Sequence, residues 1–341
     1  TLKQNDTLST LMEQGYLELD NKDIKWEKHR SIGKSWLETL EAMEWRMPHM
    51  AALRNIRGFA GSKPGIDNVI KYLQMLLSGV DGGKQFPFRY ITAYNQMKQC
   101  FERNVENIEQ EPRKKYGRTQ KPPVIVPVEY KEVIMEYLEM CLQESIKNYP
   151  ELEGDVITLS DNSGSAHGTL TSSYGNQTVS DIGNLSALFT AYRASGRGVV
   201  GVFGDDLKLY EVNKTKTLLE QYDEITKIGG TVGGNTENGV WLFFKWAFQN
   251  PRENKYDHWF CYSDMQVGHG GLYGNDNNIK QGFLWNNIKY DYGLYIDIHK
   301  CVDKYRMEIN PKLNTYMVQT AGYDNTILPE STYRGAILSG W

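Results

Sequence analysis

The stretch Val156-Ile157-Thr158-Leu159-Ser160-Asp161-Asn162-Ser163-Gly164-Ser165 (VITLSDNSGS) joins a short apolar run to an aspartate that is followed by two hydroxyl residues at alternate positions. An apolar run of this length, rich in β-branched residues and bounded by turn formers, reads as a buried strand. Downstream the pattern alternates. Ile182 to Tyr192 has helical spacing, Val199 to Phe203 (VVGVF) is strand-like and Leu218 to Ile228 is helical. Val240 to Phe248 reads as an apolar helix, and His258 to Ser263 (HWFCYS) and Tyr316 to Thr320 as strands. Strands separated by helical stretches of about ten residues or more imply βαβ units and a mostly parallel sheet covered on both faces. Ligands of such sheets bind at the carboxyl ends of the strands.

The loop after the first strand is therefore the place to look for chemistry. Asp161, Ser163 and Ser165 form D-x-S-x-S. One carboxylate and two hydroxyls in a tight loop offer hard oxygen ligands for a hard cation such as Mg²⁺. Three protein oxygens leave an octahedral ion unfilled, and two later positions complete a candidate set. These are Thr236, in Gly233-Gly234-Asn235-Thr236 before an apolar helix, and Asp264, which ends the HWFCYS run. Thr231, in Gly229-Gly230-Thr231, is a rival for the threonine; Thr236 is preferred because it directly precedes the helix starting near Val240. Taken alone, a serine-rich turn with an aspartate also serves to cap a helix.

Upstream of about residue 150 the period changes. Apolar residues recur at helical spacing through Trp36, Leu37, Leu40 and Met43, through Val69 to Leu77, and through Phe88, Ile91, Tyr94, Met97 and Phe101. Pro48 and Pro64 stand where helices start, and Gly79, Gly82 and Gly83 where one stops. The segment from Glu111 to Pro127 is a stiff basic connection rich in proline, a last helix runs from about Val128 to Lys147, and Asn148 to Gly154 reads as a hinge. Two domains are expected, 1–150 and 151–341.

Charge follows the same division. The whole chain carries 38 Lys+Arg and 42 Asp+Glu. Residues 46 to 121 alone hold 14 basic and 6 acidic residues, a local excess suited to phosphate. With 40% hydrophobic and 12% aromatic residues, wholesale disorder and coiled-coil classes are excluded. No run approaches the ~18 apolar residues of a membrane span, and a cytoplasmic location is expected, with the nucleus as the alternative. The four cysteines Cys100, Cys141, Cys261 and Cys301 lie far apart with no metal-ligand spacing, as expected of buried free thiols.

The ordered set Asp161, Ser163, Ser165, Thr236 and Asp264 resembles the metal-ion-dependent adhesion site of von Willebrand factor A domains. In the helical half, Met47-Pro48-His49-Met50-Ala51-Ala52-Leu53-Arg54-Asn55-Ile56-Arg57 and Phe86-Pro87-Phe88-Arg89-Tyr90-Ile91-Thr92-Ala93-Tyr94 resemble segments of the TROVE module. Ala321-Gly322-Tyr323-Asp324 is similar to the closing strand and loop of the A domain in Ro ribonucleoproteins. The fold this resemblance implies is a HEAT-like, TROVE-type α helical repeat followed by a doubly wound α/β A domain. It also implies a non-enzymatic RNA-binding protein of the Ro family, whose helical repeats form a ring that binds small noncoding Y RNAs and takes in single-stranded ends of misfolded RNAs. About 150 residues precede the A-type segment, so the chain is expected to be N-terminally incomplete or a shortened relative. The family's Gly-Gly-Thr-Asp reads Gly-Gly-Asn-Thr here, and Val267 to Tyr295 looks like an insertion beside Asp264.

The expected cofactor is Mg²⁺ or another divalent cation held by Asp161, Ser163 and Ser165, with Thr236 and Asp264 acting directly or through water. Its open position would take an acidic side chain of a partner protein or a phosphate oxygen. The candidate phosphate contacts are Arg54, Arg57, Lys63, Lys84, Arg89, Lys98, Arg113, Lys114, Lys115, Arg118 and Lys121. Arg54 and Asn55 also suit a structural role at helix ends, and Tyr90 and Tyr116 are candidate stacking partners for unpaired bases. The competing class is a metal-dependent protein-interaction scaffold without RNA. A nuclease using Asp161 and Asp264 is the least supported, because the six histidines form no HxxxH pair and serines supply no base.

Overall fold

The computed structural model describes Glu13 and residues 25–106, 114–115, 118–119, 124–168, 177–234, 239–265, 271–273, 295–321 and 327–339. The chain divides into two compact units, Thr1–Asn148 and Tyr149–Trp341.

In the first unit the described helices are α1 (Trp26–Ser31), α2 (Trp36–Ala42), α3 (His49–Gly61), α4 (Ile66–Ser78), the single turn α5 (Val80–Gly83), α6 (Pro87–Glu106) and α7 (Lys131–Ser145). Helix α2 starts with a capping box. Ser35 Oγ accepts from Glu38 N at 3.2 Å while Ser35 N donates to Glu38 Oε2 at 2.7 Å. Pro48 is the N-cap of α3, where its missing N–H costs nothing. Helix α7 packs against α4 and α6, and Leu40, Ile56, Leu73, Leu76, Ile134 and Leu138 are buried.

The glycines after α4 do not stop the chain where the sequence places the break. Gly79 keeps a right-handed conformation (φ −84°, ψ −5°), α5 follows at once, and the left-handed C-cap falls on Lys84 (φ 49°). These glycines make room for an imidazole. A Cβ at Gly79 would lie 2.7 Å from His49 Nδ1, and one at Gly83 2.5 Å from His49 Cδ2. Within the basic connection, Lys114–Lys115 (β1) and Arg118–Thr119 (β2) pair antiparallel.

The second unit holds a six-stranded sheet in the order β10-β9-β6-β3-β4-β5, made of β3 (Val156–Asp161), β4 (Gly198–Phe203), β5 (Leu207–Glu211), β6 (His258–Ser263), β9 (Asn314–Gln319) and β10 (Gly335–Leu338). Every neighbouring pair is parallel except β4 with β5. A short antiparallel pair, β7 (Gly271–Tyr273) and β8 (Tyr295–Asp297), stands apart from it. The helices are α8 (Gly164–Gly168), α9 (Val179–Tyr192), α10 (Leu218–Gly229), α11 (Gly239–Gln249) and α12 (Ile298–Glu308).

Strand β3 is buried along its whole length, and its alternate residues serve opposite layers. Ile157 and Leu159 join a core with α11 and α12 that includes Phe243, Phe244, Trp259 and Tyr305. On the other face Thr158 Oγ1 donates to Ala187 O at 3.2 Å and Ser160 Oγ to Asn184 Oδ1 at 2.7 Å, both on α9. Strand β5, helix α12 and strand β10 are elements that the sequence pattern does not announce. Among the described residues no helix is long and apolar enough to cross a membrane.

Candidate metal centre

Strands β3 and β6 are parallel neighbours, with Ser160 opposite Tyr262. That register sets Asp161, the last residue of β3, beside the end of β6, where Ser263 and Asp264 lie. The strand ends are tied by Ser263 Oγ, which donates to Asp161 Oδ2 at 2.6 Å and accepts from Met265 N at 3.0 Å. Asp161 Oδ1 accepts from Ser163 N at 2.9 Å, closing the tight loop. Ser163 and Ser165 face each other, with their Oγ atoms 3.2 Å apart.

Asp161 and Asp264 are wholly buried, 1% and 0% exposed. Burial first, and the charge of Asp264 second, push the Asp161 carboxyl up to about 6, against hydrogen bonds from Ser263 and Ser163 that pull the other way. Met265, the residue after Asp264, is buried with φ 56°, a left-handed conformation that is strained for a non-glycine residue.

Around this pair the loop is fixed by amide and glycine contacts. Asn162 and Asn184 exchange side-chain hydrogen bonds at 2.9 and 3.0 Å, and Asn162 N donates to Phe203 O at 2.7 Å. Gly164 N donates to Gly234 O at 2.8 Å, so the glycine-rich loop before Asn235 lies against the D-x-S-x-S loop. A Cβ at Gly164 would stand 2.8 Å from that same carbonyl oxygen.

The structure thus brings Asp161, Ser163, Ser165 and Asp264 to one edge of the sheet. Thr236 lies outside the described residues, as do Arg113, Tyr116, Lys121 and most of the stretch 267–295. The rival Thr231 is engaged elsewhere: its hydroxyl donates to Ile228 O at 2.6 Å and accepts from Lys208 Nζ at 2.9 Å. Among the described residues no three His, Cys, Asp or Glu side chains gather as a metal cluster. The donors here are two carboxylates and two hydroxyls. His167 on α8 is exposed, with Nδ1 3.1 Å from Ser180 Oγ.

In the helical unit Arg54, Arg57, Lys63, Lys84, Arg89 and Lys98 are all exposed. Arg54 and Arg57 lie three apart on α3, and Arg57 Nη2 donates to Val124 O at 3.4 Å. Lys84 is paired with Asp81 at 2.9 Å. Lys114, Lys115 and Arg118 lie in the β1–β2 hairpin. Asn55 Nδ2 donates to Ala51 O at 2.8 Å. The expectation for Tyr90 is corrected: it is 0% exposed, and its hydroxyl lies 2.6 Å from His49 Nε2, so no base can stack on it. Its place seven residues before Met97 and eleven before Phe101 puts it on the buried face of α6. The four cysteines are buried free thiols.

No protein-family model matches the chain, and no curated protein is similar to it in sequence. Among solved structures, the crystal structure of the Deinococcus radiodurans Ro (RSR) protein aligns with a TM-score of 0.54 at 13% identity, over 98% of this chain. This chain spans 63% of that structure's length. The PilB minor pilin from Streptococcus sanguinis aligns over 56% of this chain and 58% of its own, at 12% identity, with a TM-score of 0.33. The helical unit followed by a mixed six-stranded α/β unit is a Ro-like fold.

Proposed function

We propose that this chain is a non-enzymatic RNA-binding protein of the Ro type, in which a TROVE-like helical module meets RNA phosphates and the α/β unit holds a divalent cation. One observation supports this reading: the crystal structure of the Deinococcus radiodurans Ro (RSR) protein aligns over 98% of the chain, across the helical and the α/β unit alike. The basic excess of residues 46–121 and the exposed Arg54, Arg57, Arg89 and Lys98 supply the electrostatic surface that RNA requires. The expected partner is small noncoding RNA or a single-stranded RNA end.

The residues at the carboxyl edge fit a hard cation. Burial and the neighbouring charge of Asp264 raise the Asp161 carboxyl, and the donors beside the two buried carboxylates are hydroxyls rather than thiols or imidazoles. Asp161, Ser163 and Ser165 would hold Mg²⁺, joined by Asp264 and Thr236. The ion would neutralise the carboxylate pair and offer a position to an acidic side chain or a phosphate oxygen.

Two measurements test the two halves of this reading. Asp161→Ala abolishes the rise in melting temperature on adding Mg²⁺; an unchanged rise removes the metal assignment. RNA co-purifies with the protein as nuclease-sensitive absorbance at 260 nm, and affinity for single-stranded RNA falls steeply between about 50 and 200 mM salt. Absence of both, with the Mg²⁺ response intact, leaves the metal-dependent interaction scaffold.

A further inference from the structure

The aromatic side chains of the helical unit differ in burial. Phe59, Tyr72 and Tyr90 are 1%, 1% and 0% exposed and fill the core. Trp26 and Trp36 are only half-buried, although they stack on each other with ring centroids 5.9 Å apart and planes inclined by 22°. The Arg30 guanidinium lies 4.5 Å from the Trp36 ring centroid and is fixed by a hydrogen bond to Lys34 O. Packing alone would bury two indoles; here they form a short stack at the surface with a cation against it.

The place of the stack is set by Gly58 of α3. A Cβ there would lie 3.3 Å from Trp36 Nε1 and 3.4 Å from Cζ2, so the indole rests directly on the helix backbone. Arg54 is one turn before Gly58 on the same helix face, with Arg57 beside it, and both are exposed. Gly61, one turn further on, receives Val124, whose carbonyl oxygen takes the hydrogen bond from Arg57. Val124 belongs to the basic connection, 111–127, that carries the β1–β2 pair. Indoles, arginines and the foot of the basic segment therefore lie along one face of α3.

We propose that Trp26 and Trp36 form a stacking platform for an unpaired base of single-stranded RNA, with Arg54 and Arg57 meeting the adjoining phosphates. The proposal rests on the RNA-binding reading above and gives it a base-contacting site. Aromatic faces accept any base, so the platform is tolerant of sequence and selects unpaired strands over duplex.

The test uses the whole chain and a fluorescein-labelled 12-mer oligouridylate. Trp26→Ala weakens binding at least fivefold, with the slope of log affinity against log salt unchanged. Trp26→Phe, which keeps an aromatic face, restores affinity to within about threefold. Arg54→Ala combined with Arg57→Ala lowers the salt slope instead, by about 0.7 for each phosphate of the single strand that is no longer neutralised. An abasic 12-mer keeps the phosphates, so it binds the unaltered protein as weakly as the oligouridylate binds Trp26→Ala; this arm stands even if the tryptophan variant fails to fold. Wild-type binding that is equal for oligouridylate and the abasic strand, or unchanged in Trp26→Ala, overturns the platform and leaves RNA binding standing. No binding of either strand by the wild type overturns both.

Discussion

The two units place their candidate sites by different physical routes. In the α/β unit, strand direction fixes the site before any side chain is considered: β3 and β6 run parallel, so their carboxyl ends meet and bring Asp161 beside Asp264, 103 positions later in the chain. In the helical unit no such rule operates. Its basic residues are spread over several helices, and only local packing, such as Trp36 on Gly58, marks one face as different from the others. A sheet concentrates function at an edge, whereas a helical module offers many equivalent faces and needs a local irregularity to single one out.

The largest expected effect tests whether the sheet is the rigid support this contrast assumes. Phe243 lies among Phe244, Trp246, Tyr256, Trp259 and Tyr305, with ring centroids within 6.5 Å. Phe243→Ala is expected to cost about 3–5 kcal/mol in urea unfolding and to lower Mg²⁺ affinity with it. Retention of full Mg²⁺ affinity would show that the edge does not depend on the core beneath it.

Next in size is an effect of opposite sign. Burial first and the charge of Asp264 second raise the Asp161 carboxyl, so the pair opposes folding when no cation is present. Asp264→Asn is expected to raise stability in EDTA by about 1 kcal/mol while removing the Mg²⁺-dependent gain. A loss of stability in EDTA would mean that Asp264 serves the fold rather than the site.

A smaller pair of changes compares the units directly. Ser35 on α2 and Thr217 on α10 both close capping boxes, and alanine at either position is expected to cost about 1 kcal/mol. Equal costs by denaturant titration would show that local helix chemistry is the same in both units and that only topology separates them.

The smallest effect is titratable. Burial holds the His49 imidazole below its ordinary value of 6.5. The unfolded chain therefore binds the proton more readily than the folded one, and stability is full above about pH 6.5 and falls as pH drops through it. Because the raised Asp161 carboxyl titrates in the same range with the opposite sign, the readout is the difference between two proteins: the melting temperature of His49→Gln falls less than that of the wild type from about pH 7.5 to 5.5, and a constant difference across that range removes this linkage.

Much of the α/β unit was legible because its strands are short apolar runs whose ends carry turn residues. VITLS, VVGVF and HWFCYS read directly, and the D-x-S-x-S loop follows from the first of them. Strand β5 (LKLYE) escaped because an edge strand that mixes half-buried and exposed residues has no continuous apolar run. Strand β10 (GAIL) is four residues long, and the apolar spacing of Cys301, Val302 and Tyr305 in α12 was overshadowed by the Gly- and Asn-rich stretch before it. In the helical unit the helices were legible but the faces were not. Tyr90 reads as an aromatic near basic residues, and only its spacing from Met97 and Phe101 tells that it points inward. The Trp26–Trp36 pair spans two helices, so no single period contains it.

The pairing of β3 with β6 also sets a timetable. Residues 156–160 must meet residues 258–262, a long-range closure that local structure cannot speed. At roughly 5–20 residues per second of synthesis, β3 leaves the ribosome about 5–20 seconds before the strand that completes its flank, with every side chain still lacking one of its two neighbours. Its other neighbour, β4, arrives sooner and shields one side. The carboxylate pair can form only when β6 docks, so during biosynthesis the emerging sheet experiences no charge repulsion at its edge until the moment its central strand is closed in.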